Sequence, residues 1–232
     1  MSELKIRCSS LGKIMTNPRT KKETLSKTCK TYVQDIFKEN EFGIVREFWS
    51  RYIDKGNDCE VQSIELANNV LEWGLPFEAI HGKQHAFEND FLTGHTDVCT
   101  KTVLADVKTS WDGTTFPFFD EEIPNKDYYF QCMGYLALTG YDKCDLAYCL
   151  INTPEEMVLD EIRREHWKQN SVWDGDENPE IVSMIRSRHE FNHIPKEKRV
   201  KNFVIERDDE VIKSIYERVE QCREYYKQLK TK

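Results

Sequence analysis

A chain of 232 residues with 39% apolar and 12% aromatic side chains has material for one substantial hydrophobic core. Its net charge of −8, with 32% of residues charged, argues against a protein that coats nucleic acid non-specifically, but not against a local acidic site whose field a bound cation reverses. No run is long and apolar enough to span a bilayer, and the opening MSELKIRCSS lacks the apolar centre of a secretion signal, so a cytoplasmic protein with no membrane partner is expected.

The eight cysteines never fall as C-x-x-C, which leaves zinc-ribbon and thioredoxin-like readings without support. They are also too dispersed for an iron–sulfur site, and reduced thiols are the expected state.

Residues 6 to 40 read as helical, interrupted at TNPRTKKE by Pro18 and its charged neighbours. EFGIVREFWSRYI then sets Ile44, Val45, Phe48, Trp49 and Tyr52 at helical spacing. Over residues 55 to 74, KGNDCEVQSIELANNVLEWG predicts a helix with Asn57 as N-cap and Glu60 three positions on. Its apolar stripe is Ile64, Ala67 and Leu71, and Gly74 and Pro76 end it. Residues 78 to 109 turn strand-like, with turns at Gly82, Asn89 and Thr100–Thr102.

NKDYYFQCMGYLALTG predicts a helix closed by Gly140, and DLAYCLINT a strand. Two charged helices fill residues 155 to 191 around the loop DGDENP. FVIERD is a last short strand. The final amphipathic helix runs through Ile212, Ile215, Val219, Cys222 and Leu229. With no repeat and no linker, the order implies a single α/β domain over residues 1 to 232, a mixed central β-sheet flanked by helices.

Within the strand region, FLTGHTDVCTKTVLADVKTS carries two acids and a lysine among Phe91, Leu92, Val98, Val103, Leu104, Ala105 and Val107. Residues two apart on a strand share a face, so Asp106 and Lys108 point the same way. A tight turn at Lys101–Thr102 places Asp97 directly across from Asp106. Two like charges facing each other in a buried hairpin are costly unless a cation lies between them. A hard divalent ion satisfies that need, with the Val107 carbonyl as a third oxygen. Lys108 beside it would position or deprotonate an attacking water, or hold a phosphate. The plainer alternative is a surface hairpin on which Asp106 and Lys108 merely pair.

Two further residues bear on that choice. Glu60, in the first turn of its helix, either completes a capping box or faces the same cation. Gln131 shares a helix face with Tyr128 and Tyr135, as a polar stripe or as a water- or phosphate-positioning amide.

The ordered set Glu60, Gly94-x-x-Asp97, Asp106-Val107-Lys108, Gln131 and Tyr135 resembles the PD-(D/E)XK nuclease superfamily, and within it the phage lambda exonuclease and YqaJ-like viral recombinase type. IRCSSLGKIMTNPRT resembles that group's opening helix, KGNDCE its Gly-x-x-x-Glu segment and VIERDDE its closing strand-to-helix passage. The resemblance implies Asp97 and Asp106 as principal Mg2+ ligands beside the Val107 carbonyl, with Glu60 serving a second ion through water. It implies Lys108 as catalytic lysine, Gln131 fixing nucleophile or phosphate, and Ser9 with Arg7 gripping a 5′-terminal phosphate. His95 stands where the group has a small hydroxyl residue near that phosphate pocket, and Tyr135 belongs to the same DNA-binding surroundings. The second acid is Asp rather than Glu, which shortens its reach but keeps its charge.

The implied activity is a Mg2+-dependent exonuclease, with Mn2+ as a substitute ion, acting 5′ to 3′ on linear duplex DNA ends in phage-type recombination. A single-strand annealing protein and a homotrimeric ring are the implied partners. The alternatives are an endonuclease of the same fold and a non-catalytic nucleic-acid- or partner-binding module, against which the intact Asp97, Asp106 and Lys108 speak. Lys21, Lys22, Lys27 and Lys30 suit a DNA track or a solvated helix face equally, as do Lys196, Lys198, Arg199 and Lys201. Trp111 is expected to pack rather than to wedge against a base.

Overall fold

The computed structural model describes residues 3–44, 50–82, 84–169 and 178–231. Strands β1 (Ile6–Arg7), β2 (His85–Glu88) and β3 (Leu92–Thr96) form one sheet in the order β1-β3-β2. Strands β4 (Val98–Cys99), β5 (Leu104–Thr109), β6 (Lys143–Cys149) and β7 (Val200–Glu206) form the other, in that order. Both sheets are mixed: β1 runs parallel to β3 and β5 parallel to β6, and the remaining pairs are antiparallel. Only Asp97 separates β3 from β4, so one chain passes from the first sheet into the second at that residue.

The strand period sorts the core into two sides. Leu104, Leu146 and Tyr148 face a cluster shared with Cys132, Met133 and Leu136 of helix α6 (Lys126–Thr139). Ala105, Val107, Ala147 and Cys149 face Ile64, Leu66 and Ala67 of helix α4 (Glu60–Leu71). A strand covered on both faces reads as a nearly unbroken apolar run, as VLADV and LAYCL do. Because β5 and β6 are parallel they need a crossover, and α6 supplies it.

Helix α6 is fixed at both ends. Asn125 accepts from the Asp127 N–H at its start. At its close Gly140 adopts φ 77° and Arg207 Nη1 donates to the Leu136 carbonyl at 2.6 Å. Helix α2 (Lys27–Phe42) packs on the terminal helix α9 (Asp209–Lys230), with Cys29 Sγ and Cys222 Sγ 3.4 Å apart.

The mixed α/β class, the antiparallel hairpin, α6, β6, β7 and α9 agree with the sequence reading. So do the two charged helices, α7 (Glu155–Lys168) and α8 (Pro179–His189). Several expectations need correction. The central sheet is divided in two at Asp97. The first helical stretch is a two-residue strand, a 3₁₀ turn at Cys8–Ser10 and the single-turn α1 (Leu11–Ile14). Asn57 is not an N-cap: it lies inside α3 (Arg51–Asp58), and Glu60 is the first residue of α4 after a non-capping Cys59. Residues 77 to 81 form a short helix, α5 (Phe77–His81), instead of strand. Val45, Phe48, Trp49 and most of the DGDENP loop lie outside the described residues.

Candidate active site

The hairpin register is the one its alternation dictates. Val98 pairs with Ala105 and Cys99 with Leu104, and Thr100 N–H donates to the Val103 carbonyl at 2.8 Å, so the turn falls on Lys101–Thr102. One step further along, Asp97 stands opposite Asp106, on the face of the sheet that α6 covers. There the ladder gives way to a side chain: Asp97 Oδ2 accepts from the Val107 N–H at 2.7 Å. In extended chain a residue's N–H and C=O point to the same edge, so the Val107 carbonyl faces Asp97 as well.

Asp106 is 1% exposed. Its Oδ1 accepts from Gln131 Nε2 at 2.9 Å, and the same amide donates to Tyr135 Oη at 2.7 Å. Its Oδ2 is buried without a regularly oriented hydrogen bond and lies 2.6 Å from Lys108 Nζ. Lys108 Nζ sits 4.7 Å from the centre of the Tyr128 ring. One face of α6 therefore delivers Tyr128, Gln131 and Tyr135 to the two catalytic-type strands, as their helical spacing implied.

Glu60 approaches from the α4 side. Gln84 Nε2 bridges it to the pair, donating to Glu60 Oε1 at 2.9 Å and to Asp97 Oδ1 at 3.1 Å. A neutral amide thus bridges the two acids. Nothing in the sequence pattern singled out Gln84, because its role depends on the approach of the segment before β2 to the start of α4.

Burial and the neighbouring Asp106 push Asp97 up to about 8, although Lys108 and the Val107 N–H pull the other way. Burial alone would lower the Lys108 ammonium, but Asp106 and Asp97 hold it above its ordinary value. Among the described residues no three His, Cys, Asp or Glu side chains already surround a common point. The donor set nevertheless suits a hard divalent cation. It is all oxygen and two of its members are buried or half-buried carboxyls facing each other, and the Lys108 ammonium beside Asp106 marks where positive charge is favoured.

A cleft of about 270 Å³ adjoins this centre, and Arg7, Ser9 and His95 line it together with Asp97, Asp106 and Gln131. Glycine makes that meeting feasible. A Cβ on Gly94 would lie 2.9 Å from Cys8 Sγ and 3.0 Å from the Tyr135 ring, so the Cys8–Ser10 turn reaches β3 only over a bare backbone. The sequence-nominated residues Glu60, Asp97, Asp106, Val107, Lys108, Gln131, Tyr135, Arg7, Ser9 and His95 thus lie in one connected region. Of the basic residues, Lys27 and Lys30 line a separate groove of about 990 Å³ with Arg7, Lys13 and Arg19, whereas Lys21 and Lys22 do not.

No family model matches the sequence, and no curated protein matches it. A phage-related exonuclease from Haemophilus somnus 129PT is similar over 99% of this chain and 96% of its own, at 30% identity and a TM-score of 0.75. The chain belongs to the phage-related exonuclease family. An alkaline exonuclease from Laribacter hongkongensis shares the fold at 15% identity and a TM-score of 0.63, covering 98% of this chain and 92% of that one. The same Laribacter enzyme solved with dAMP matches at 16% identity and a TM-score of 0.60. The resemblance to lambda-type exonucleases is therefore borne out across essentially the full chain. Among the described residues, no helix of this family member is long and apolar enough to cross a membrane. Its Trp111 packs as expected, 7% exposed, with its carbonyl accepting from the buried Lys55 Nζ at 2.7 Å. Sequence reasoning missed Lys55, whose burial pulls its ammonium down to about 8.

Proposed function

We propose that the chain is a divalent-metal-dependent exonuclease that degrades linear duplex DNA from the 5′ end and leaves a 3′ single strand for phage-type recombination. The observation that carries this reading is the buried face on which Asp97, Asp106, Lys108 and Gln131 converge, with Gln131 on one Asp106 oxygen and Lys108 Nζ 2.6 Å from the other. Asp97, Asp106 and the Val107 carbonyl would hold Mg2+, or Mn2+ on the same oxygens, and Glu60 would serve a second ion. A bound ion of this kind polarises a phosphate oxygen and makes a neighbouring water more acidic.

The chain's own groups do the rest. Lys108, held as an ammonium, donates to a non-bridging oxygen of the scissile phosphate and neutralises the charge that develops there. Gln131 fixes Asp106 Oδ1 and leaves Oδ2 turned toward the reacting centre. Arg7, Ser9 and His95 offer a guanidinium, a hydroxyl and an imidazole to a terminal phosphate one cleft away, which favours end-directed cleavage over internal cutting. An enclosing trimer and a single-strand annealing partner belong to the same reading and are supported by the family resemblance alone.

The test is digestion of a linear duplex labelled on one strand, with and without Mg2+. Matched 5′-phosphate and 5′-hydroxyl ends and a closed circle run beside it. Metal-dependent loss from the 5′ end that spares the circle, faster with a 5′-phosphate, is expected. Lys108→Ala should slow it by about 10²-fold or more. Cutting of the circle would replace the exonuclease with an endonuclease of the same fold, and DNA binding without cleavage would replace it with a binding module.

A further inference from the structure

A second cleft, of about 480 Å³, opens on the other side of the centre, between α3 and the end of β5. It shares only Asp97 and Lys108 with the cleft that holds Arg7, Ser9 and His95. A strand whose scissile phosphate lies at those two shared residues has one neighbouring nucleotide in each cleft. We propose that this second cleft is a nucleobase-stacking subsite for the nucleotide 3′ of the scissile phosphate, with Tyr52 as the stacking ring. The assignment of the 3′ side rests on the exonuclease reading above; the stacking subsite itself rests on the cleft.

Three features of the cleft match a base. The first is a braced and accessible ring. Tyr52 is 53% exposed, and Trp111 meets it edge to face with centroids 5.3 Å apart. Trp111 is itself held by Lys55 Nζ on its carbonyl at 2.7 Å, and the Arg51 guanidinium lies 4.8 Å from its ring centre and 5.3 Å from that of Tyr52, so a base would stack on the Tyr52 face that Arg51 does not cover. The second is free space beside that ring. Gly56 lies four residues on, hence on the same face of α3, and a Cβ there would meet nothing within 4 Å.

The third is unmet hydrogen bonding. Ser110 and Tyr148 line this cleft, and their hydroxyl oxygens lie just beneath its surface, buried and without a hydrogen-bond partner among the described residues. Buried hydroxyls of this kind require a donor or acceptor. A nucleobase brings a π-face for the ring and polar edges for the hydroxyls, and the phosphate on its 5′ side meets Lys108.

The test uses the full-length protein with Mg2+ and duplexes in which the second nucleotide from the 5′ end is either normal or abasic. The readout is kcat/KM for release of the first nucleotide. The abasic site should lower it roughly tenfold in the unaltered protein, since stacking on a protein ring is worth about that factor per base. Tyr52→Ala should lower the normal substrate's value by a similar factor and remove the discrimination, and Tyr52→Phe should restore it. Gly56→Phe, which fills the cleft while raising helix propensity, should also remove the discrimination without lowering the thermal midpoint.

No effect of the abasic site on the unaltered protein, or an undiminished effect in Tyr52→Ala, overturns the subsite. If no substrate is hydrolysed, the exonuclease reading fails on its own. The subsite is then decided by 2-aminopurine at the second position of the same duplex. Quenching that Tyr52→Ala abolishes upholds it, and absence of quenching overturns it.

Discussion

Asp97 and Asp106 face each other on one side of a hairpin with a single ammonium, that of Lys108, paired to Asp106, which is more negative charge than a buried sheet face tolerates. In the metal-free protein the strain appears as a proton. Asp97, pushed up to about 8 by burial and by Asp106, keeps a proton that the unfolded chain loses near pH 4. Between those limits the folded state binds more protons than the unfolded one, so stability falls as pH rises across the window. Denaturant melts in the presence of a chelator should show a decline from pH 5 to pH 8.5. Asp97→Asn should flatten it, because the amide neither ionises nor repels Asp106. An unchanged pH slope in that variant would mean that Asp97 is already ionised in the fold.

The two acids and the lysine were legible in the sequence because strand alternation and turn position alone determine which side chains meet. Gln84, Tyr52 and Lys55 were not. Each acquires its role from a contact between segments distant in sequence, 24 residues in the case of Gln84 and Glu60 and 56 for Lys55 and Trp111. No local period records such contacts.

At the level of elements, the site is assembled by how closely three pieces approach: the Cys8–Ser10 turn, β3 and α6. Gly94 and Gly134 line that junction, and a Cβ on Gly134 would lie 2.6 Å from Leu11 Cδ1. Gly94→Ala should therefore cost about 1–3 kcal/mol by overpacking against Cys8 and Tyr135. It should also move Ser9 relative to Asp97, so that the preference for a 5′-phosphate drops more than the turnover of 5′-hydroxyl ends. Equal loss on both ends would show that the glycine only packs. The elements carrying this geometry differ in how plainly they declare themselves. α6 and α9 have caps and several turns of periodicity, and both were read correctly. β1 and α1, with two and four residues, are too short to carry a period. Asn57 and Glu60 mimic a capping box, but α3 runs through Asn57 and the chain restarts at Cys59. The division of the sheet at Asp97 leaves no trace in alternation, because β3 and β4 keep one continuous pattern of buried residues.

Over the whole molecule, a net charge of −8 opposes DNA, so association must depend on where the positive groups lie. Arg7 links two of the clefts: it lines the pocket beside Asp106 and also the groove of about 990 Å³ that continues past Lys13, Arg19, Lys27 and Lys30. Lys30 is drawn to Glu23 at 2.8 Å, and Asp35 and Glu39 lie along the same wall, so the groove is mixed rather than uniformly basic. If it tracks a phosphate backbone, each contact releases counterions, and the logarithm of affinity falls with the logarithm of salt by about 0.9 per phosphate. Arg19→Ala combined with Lys27→Ala should then flatten that slope by about 2, whatever the sequence of the duplex. The ratio of rates on 5′-phosphate and 5′-hydroxyl ends should stay as it is, since neither residue lines the terminal cleft. An unchanged slope would return these side chains to a solvated helix face. A flatter slope with an altered end preference would mean that the groove and the terminal pocket hold the same phosphate, and that Arg7 belongs to the track rather than to the end.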